Sequence, residues 1–116
     1  MFEDYASGGV RFRNNNASAF GFRDAHTLAA PLIVYNSTGK AQDNGVKKLG
    51  TQLRDIIREG TGSKELHTYV NYAYGDEGPK AWYGHESWRQ KKLQELKQRY
   101  DPTGKFSFYA PIATHQ

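Results

Sequence analysis

Three side chains at alternating positions, His67, Tyr69 and Asn71, have the chemistry to move a proton and to bind an oxyanion. In an extended strand, side chains two residues apart point to the same face, so an imidazole, a phenol and an amide would stand side by side. Such a face can present donors and acceptors to a small molecule. The same alternation also fits ordinary cross-strand pairing on a partly solvated sheet, and spacing alone favours that second interpretation.

A base role for Tyr69 would require that the phenolate be stabilised over the phenol, which nearby cations could do. Their distance from Tyr69 depends on how the chain folds. The candidates are three arginines of the N-terminal part: Arg11, Arg13 and Arg23.

Other clusters of chemically active residues give weaker signals. Asp76 and Glu77 are adjacent in a glycine-flanked turn, which favours two solvated carboxylates over a working acid/base pair. Asp24 and His26 would share one face of a strand, but no serine elbow accompanies them. The four histidines show no metal-ligand spacing such as HxH or HExxH, so we predict no metal site.

Composition excludes several classes of protein. The 116 residues are predicted to form one domain, residues 1–116, and the lack of cysteine excludes disulfides, thiolate nucleophiles and cysteinyl cofactor links. The net charge is +4, but the basic residues are scattered, so we predict no nucleic-acid binding. No apolar run reaches the ~20 residues that span a bilayer, and the acidic start MFEDYASGG is not a signal peptide, which favours a cytoplasmic location.

The elements that must position these residues follow from hydrophobic periodicity. Alternation or apolar runs predict strands at GGVRFR, at Leu32–Tyr35 and, most clearly, at ELHTYVNYA, residues 65–73. Two helices are predicted, one over Val46–Glu59 with Asp43 or Asn44 as its N-cap, and one from near Ala81 or His85 to Tyr100. Their inner stripes are Val46, Leu49, Leu53, Ile56 and Ile57 in the first, and Trp88, Leu93, Leu96 and Tyr100 in the second. The order predicts an α+β fold, an antiparallel sheet with two helices packed on one face.

With the elements placed, two stretches show a family pattern. YVNYAYGDEGPKAWYG and RQKKLQELKQRYDPTGKF resemble the C-terminal segment of berberine bridge enzyme-like FAD-linked oxidases of the vanillyl-alcohol oxidase superfamily. GGVRFRNNNASAFGFRDA is similar to the Gly-Gly strand and A-F-x-x-R-x-A stretch of that family. The elements that carry the resemblance are Tyr69, Asn71 and Tyr72, then Tyr83-Gly84, Lys92-Leu93, Lys97, Asp101-Pro102 and Phe106.

The resemblance implies roles for individual residues. In the family, the Y-x-N-Y strand lies against the flavin and the substrate pocket, its tyrosine deprotonates or positions the substrate, and its asparagine contacts the flavin region. By resemblance Tyr69 is catalytic and, with Asn71, would contact FAD if a flavin domain is supplied; spacing adds His67 as a second acid/base candidate. The predicted substrate contacts are Asn71, Tyr72, Arg23, Phe22 and Tyr83.

The sequence also departs from the family pattern. Phe22 stands where a histidine is frequent, Trp88-Arg89 where an asparagine is common, and Gly104 where an asparagine usually follows Asp-Pro. The family's FAD-binding domain precedes this segment and carries the sites of covalent flavin attachment, so we expect the chain alone to bind no cofactor.

Three functions stay open. In the first, the chain is a stand-alone domain that binds a small organic substrate, as a flavin-free cyclase or isomerase in secondary metabolism. Alternatively, it is a fragment or subunit of an FAD-dependent oxidoreductase, with the flavin domain on a separate chain, or a non-catalytic remnant. Because a lone segment would expose a sheet edge and an apolar patch, we expect a two-fold homodimer that joins two sheets, with a cavity near the interface lined by His67, Tyr69 and Asn71.

Overall fold

The computed structural model describes residues 1–113 of the chain, and within them it confirms the α+β class. A two-stranded antiparallel sheet accompanies four α-helices and two single 3₁₀ turns. None of these helices is both long enough and apolar enough to cross a membrane. The elements are β1 (Phe2–Asp4), α1 (Gly8–Arg11), a 3₁₀ turn (Asn15–Ala17), β2 (Thr27–Ala29), α2 (Lys40–Gly60), a 3₁₀ turn (Val70–Tyr72), α3 (Pro79–Tyr83) and α4 (Ser87–Tyr100).

The chain divides into two compact units, and the first contains the sheet and α2. It comprises Met1–Tyr5 and Thr27–Leu66. Strands β1 and β2 pair in the register that sets Glu3 opposite Leu28. The terminal ammonium of Met1 donates to the Ala30 carbonyl over 2.9 Å, which extends this pairing beyond the strand end.

The first predicted helix is confirmed as α2, although its start is earlier than predicted. It begins at Lys40, so the prediction of Asp43 or Asn44 as the N-cap is wrong. The side chain of Gln42 accepts hydrogen bonds from the backbone N–H and the hydroxyl of Thr38, at 2.7 and 2.8 Å. These bonds tie Thr38, which precedes the N-cap Gly39, to the first turn of α2. The chain then leaves the helix through Gly62, whose φ of +72° suits glycine.

The second unit contains α1, α3, α4 and the turns between them, from Ala6–His26 and from His67 onward. Pro79 opens α3, where its missing N–H costs nothing. At the other end of α4, the Asp101 carboxylate accepts from the backbone N–H groups of Lys105 and Phe106, at 2.8 and 2.9 Å. The Lys97 ammonium donates to the same carboxylate and to the Phe106 carbonyl, so the turn after α4 is tied back to the helix.

The predicted strands are wrong in three places. GGVRFR forms α1, because the Ser7 carbonyl accepts from the N–H groups of both Val10 and Arg11 at 3.0 Å. Leu32–Tyr35 is irregular, and residues 65–73 are irregular around the 3₁₀ turn. Within residues 65–73, the Thr68 N–H donates to the Ala81 carbonyl of α3 and not to a neighbouring strand. Alternating polarity shows which residues could share a face, but a strand forms only where another strand lies beside it.

The inner stripe predicted for α4 is wrong at three of its four positions, since Leu93 alone among them is half-buried. Tyr100 is 71% exposed, Trp88 is 41% exposed and Leu96 is 39% exposed, whereas Arg89 is 1% exposed. A guanidinium carrying its own hydrogen-bond partners is therefore the most deeply buried side chain of this helix. The other side chains buried in the second unit are Ala81, Trp82, Ala110, Ser7 and Asp101.

Candidate functional site

The 3₁₀ turn at Val70–Tyr72 holds the pair that the sequence singled out. The Asn71 side-chain amide donates to the phenolic oxygen of Tyr69 over 2.7 Å. The rings of Tyr69 and Tyr72 meet edge to face, with centroids 5.5 Å apart, as expected because residues i and i+3 eclipse in a 3₁₀ turn. Tyr69 is 41% exposed, so its oxygen is accessible to a ligand. The structure thus brings Tyr69, Asn71 and Tyr72 together, through a turn and not through a strand face.

A tyrosine from the C-terminal segment fixes this turn. The Tyr109 hydroxyl lies 2.6 Å from the Val70 carbonyl and 3.0 Å from the Ala73 carbonyl. The two carbonyls flank the turn, so one hydroxyl clamps both of its ends. The position of the Tyr69–Asn71 pair therefore depends on a residue almost forty positions away in sequence.

His67 takes part in a second group of rings. Its imidazole stacks on Phe22, with centroids 4.4 Å apart and an interplanar angle of 19°. The ring of His85 lies on a tilted approach, with its centroid 5.6 Å from that of His67. Phe22 and His67 were both predicted as site residues, whereas sequence reasoning did not include His85. No spacing signal could have found it, since eighteen positions separate the two histidines.

Tyr83 and Arg23, both predicted to contact substrate, have structural partners. The Tyr83 hydroxyl donates to the Ala110 carbonyl over 2.8 Å, and burial, with a smaller electrostatic effect of Tyr109, raises the pKa of Tyr83. The Arg23 guanidinium donates to the Val10 carbonyl at 3.3 Å and to the Ser18 hydroxyl at 2.5 Å. Among the described residues no arginine forms a hydrogen bond to the Tyr69 phenol, so Asn71 is the group that supports it.

A serine, a histidine and an arginine meet beside α1, in an arrangement that resembles a nucleophile and its base. The Ser7 hydroxyl is 2.9 Å from His26 Nδ1, and Arg11 is 3.1 Å from His26 Nε2. Arginine only donates, so Nε2 must accept and Nδ1 must carry the proton. That proton points at the Ser7 oxygen, so His26 cannot take a proton from this serine. The cluster is a structural tie. Asp24, which the sequence pattern placed on the same face as His26, forms an ion pair of 3.9 Å with Arg11.

Arg89 links three segments of the second unit, a role that sequence reasoning missed. Its guanidinium donates to the carbonyls of Ser18 and Asn15 and to both carboxylate oxygens of Glu86, which lie 3.2 and 3.3 Å away. The ion pair with Arg89 lowers the pKa of Glu86. The Trp88 ring lies 4.6 Å from the same guanidinium. The departure from the family pattern at Trp88-Arg89 was the one sequence signal at this position.

Glu77 is held in its turn and is not a free acid. Its carboxylate accepts from the N–H groups of Tyr74 and Gly75 and from the Trp82 indole, at 2.8, 2.9 and 3.0 Å. Burial alone would raise the pKa of Glu77, but these hydrogen bonds outweigh it and lower the pKa. The acidic turn is thus built around the buried Trp82.

Comparison with known proteins places the segment that carries this site in one family. Residues 68–113 match the family model for berberine and berberine-like proteins, a range that contains the Tyr69–Asn71 pair, α3, α4 and the Asp101 turn. The chain is 56% identical over 112 residues to the FAD-linked oxidoreductase chyH of Penicillium rubens, and 52% identical over 112 residues to chry5 of Gibberella zeae. The chain is a berberine bridge enzyme-like segment. Each of these matches includes 97% of this berberine bridge enzyme-like segment and 22% of the relative.

The resemblance seen in the sequence is therefore confirmed, and it brings FAD to this segment by family resemblance alone. A third relative, the FAD-linked oxidoreductase anuG of Penicillium roqueforti, is 37% identical over 112 residues, again 22% of its length. No solved structure matches the segment.

Among the described residues, the polar groups named by the resemblance are accessible, but the glycines do not form a phosphate-binding turn. The Tyr69 phenol and the Asn71 amide are both exposed and are joined by a hydrogen bond. A pyrophosphate is usually held by a glycine-rich turn before a helix. In this segment Gly8 and Gly9 lie inside α1, while Gly60 and Gly62 end α2, so these glycines do not form such a turn.

Proposed function

We propose that this segment supplies the substrate-facing wall of an FAD-linked oxidoreductase, with Tyr69 as the residue that positions the substrate and accepts its proton. The observation that carries the proposal is the Asn71–Tyr69 hydrogen bond, found in a chain whose relatives at 56% and 52% identity are named FAD-linked oxidoreductases. Because the segment spans 22% of their length, the flavin would come from residues outside the matched part.

The chemistry assigned to the segment is proton handling. The Asn71 N–H points at the Tyr69 oxygen and stabilises negative charge there, as a preorganised donor does in an oxyanion site. Tyr69 as phenolate would then accept the proton of a substrate hydroxyl, and Tyr72 would border the same ligand with its ring. A bound flavin would accept the electrons that leave the substrate.

Exposed apolar side chains support a role within a larger assembly. Phe12, Phe106 and Phe108 are 93%, 83% and 102% exposed, respectively. Large apolar side chains left in water favour a covering surface of another polypeptide. A flavin domain would provide such a surface, and so would a second copy of this chain.

The alternative is a flavin-free cyclase or isomerase acting on a small organic substrate. The observation in its favour is that Tyr69, its donor Asn71 and the Tyr109 that holds their turn all belong to this chain. In this case Tyr69 and His67 would exchange protons with the substrate, and the net redox state would not change. A non-catalytic remnant would bind neither flavin nor substrate.

The decisive experiment replaces the matching segment of the Penicillium rubens oxidoreductase chyH by this chain. We expect the chimera to retain flavin absorbance and to reduce its flavin in the presence of the substrate of the parent enzyme. Tyr69→Phe in the chimera should slow flavin reduction strongly, whereas Tyr100→Phe, at a 71% exposed tyrosine of α4, should not. Equal rates for Tyr69→Phe and the unmodified chimera would contradict the proposal.

The isolated chain separates the remaining possibilities. Mixed with FAD and passed over a sizing column, it should emerge without flavin absorbance if the flavin is held elsewhere. Saturable binding and turnover of a small molecule by the flavin-free chain would favour the cyclase or isomerase. Failure of both the chimera and the isolated chain would favour the remnant.

A further inference from the structure

Beyond the tyrosine site, the second unit brings two histidines together. The imidazoles of His67 and His85 have centroids 5.6 Å apart, and their ring nitrogens lie within 4.8 Å of one another. We propose that His67 and His85 form a two-imidazole site for a late first-row divalent cation, with Zn²⁺, Ni²⁺ and Cu²⁺ as the candidates. This proposal is independent of flavin and of the role given to Tyr69.

The distance suits shared coordination. A metal–imidazole bond is about 2.0–2.1 Å, so two nitrogens on one ion lie roughly 3–4 Å apart. Small side-chain rotations cover the remaining difference from the observed upper limit of 4.8 Å. Imidazole ligands suit zinc, copper and nickel, whereas magnesium and calcium prefer oxygen.

The backbone at both histidines is held in place by α3. The Thr68 N–H, next to His67, donates to the Ala81 carbonyl over 2.9 Å. The Gly84 N–H, next to His85, donates to the Lys80 carbonyl over 2.9 Å. A pair of ligands anchored to one short helix loses little freedom when an ion binds, which favours a defined site over casual contact.

The ring contacts of His67 are compatible with a bound ion. Phe22 stacks flat on His67, so it occupies a face of the imidazole and not the edge that carries the nitrogens. His67 is exposed and His85 is half-buried, so solvent ions reach the pair. Water or an added ligand would complete the coordination.

The test is calorimetric titration of the whole chain with Zn²⁺, Ni²⁺ or Cu²⁺ in a non-chelating buffer. His115, which lies outside the described residues, is first replaced by alanine so that it cannot contribute. We expect one ion per chain, no saturable binding of Mg²⁺, and at least a tenfold loss of affinity in His67→Ala and in His85→Ala. The double variant should have the same affinity for the ion as the single variant that binds it more weakly, because loss of either imidazole already removes the two-ligand site.

Two controls keep the outcome clear. His26→Ala should bind the ion like the parent, because that imidazole is bound to Ser7 and Arg11 instead. His67→Phe keeps a ring against Phe22 while removing both nitrogens, so it should stay folded by circular dichroism and lose the ion. Unchanged affinity in His67→Phe and His85→Ala, or no binding by the parent chain, would overturn the proposal.

Discussion

The Arg89 guanidinium lies against the bare Cα of Gly84, so closely that a Cβ on Gly84 would sit 2.9 Å from Arg89 Nε. Gly21 approaches the same guanidinium, and its Cβ would lie 3.2 Å from that nitrogen and 2.9 Å from the Tyr83 carbonyl. Two glycines thus leave the space in which a buried arginine joins the turn before α4 to the loop at residues 15–21. The glycine of the Tyr83-Gly84 turn is thus required by packing, because a side chain there would meet Arg89.

We predict that Gly84→Ala destabilises the chain by about 2 kcal/mol or more, because φ at Gly84 is +112° and the new methyl would also meet the Glu86 carboxylate at 2.5 Å. Gly21→Ala should also destabilise the chain, because its methyl would lie 2.9 Å from the Tyr83 carbonyl oxygen. Gly45→Ala is the control, since nothing lies within 4 Å of its Cβ in the middle of α2, and it should gain about 0.5–1 kcal/mol. Urea unfolding measures all three. A stable Gly84→Ala would contradict the close contact.

Arg89→Met is expected to cost about 3 kcal/mol, because it keeps the volume but removes the cation paired with Glu86 and the guanidinium donor of two backbone carbonyls. Arg89→Lys should lose part of the same stabilisation, since an ammonium does not reproduce the planar fork of donors in a guanidinium. Lys91→Met, at an exposed position of the same helix, should change the free energy of unfolding by less than about 0.5 kcal/mol. If both methionine variants unfold at the same urea concentration, Arg89 is not the link described above.

The environment of the Asp101 carboxylate predicts that the folded state loses stability in acid. The hydrogen bond from Lys97 lowers its pKa, supported by the N–H groups of Phe106 and Lys105 and opposed by desolvation. The ordinary pKa of this carboxyl is 3.8, and at pH values above it the charged Asp101 stabilises the folded state. This stabilisation is lost as the pH falls through the lowered pKa of the folded state. Asp101→Asn should therefore unfold more easily than the parent at neutral pH, with the difference shrinking below about pH 4.

Thermal unfolding at stepped pH values measures this difference. Glu95→Gln, at an exposed carboxylate of α4, is the matched control and should follow the parent at every pH. A difference between Asp101→Asn and the parent that stays constant down to the most acid pH would show that the charge of Asp101 is not responsible.

Asn71→Ala in the chimera should slow flavin reduction by about tenfold or more, because it removes the side-chain amide that donates to the Tyr69 oxygen. Asn44→Ala, on the exposed surface of α2, should leave the rate unchanged. Stopped-flow absorbance of the flavin measures both. A rate in Asn71→Ala equal to that of the chimera would remove Asn71 from the proposed chemistry.

The homodimer expected from the sequence stays a prediction. Sedimentation of the purified chain at micromolar concentration should show a dimer if a second copy covers the exposed phenylalanines. Phe106→Ser combined with Phe108→Ser should then shift the chain toward the monomer, with far-ultraviolet circular dichroism unchanged. A monodisperse parent monomer would end this expectation.

Several features were predictable because they depend on local pattern. The apolar residues of α2 repeat at helical spacing, and the structure confirms the helix, although Leu49 and Ile56 of the predicted inner stripe are exposed. The structure also confirms that α4 ends before Asp101-Pro102. The pairing of Tyr69 with Asn71 followed from the family resemblance. The strand assigned to residues 65–73 was wrong, since alternation cannot show whether a neighbouring strand exists, and the local hydrogen bond from Tyr72 to the Tyr69 carbonyl forms instead.

The sequence by itself determined the family, the α+β class and the long helix, and it singled out Tyr69 and Asn71 as the candidate pair, because each depends on residue type and short-range spacing. Tertiary structure decided which polar groups meet across distance. It buried Arg89 between two glycines, turned His26 into the partner of Ser7 and Arg11, and set His85 beside His67. Such contacts depend on where the backbone returns, and one sequence contains no periodic signal for that.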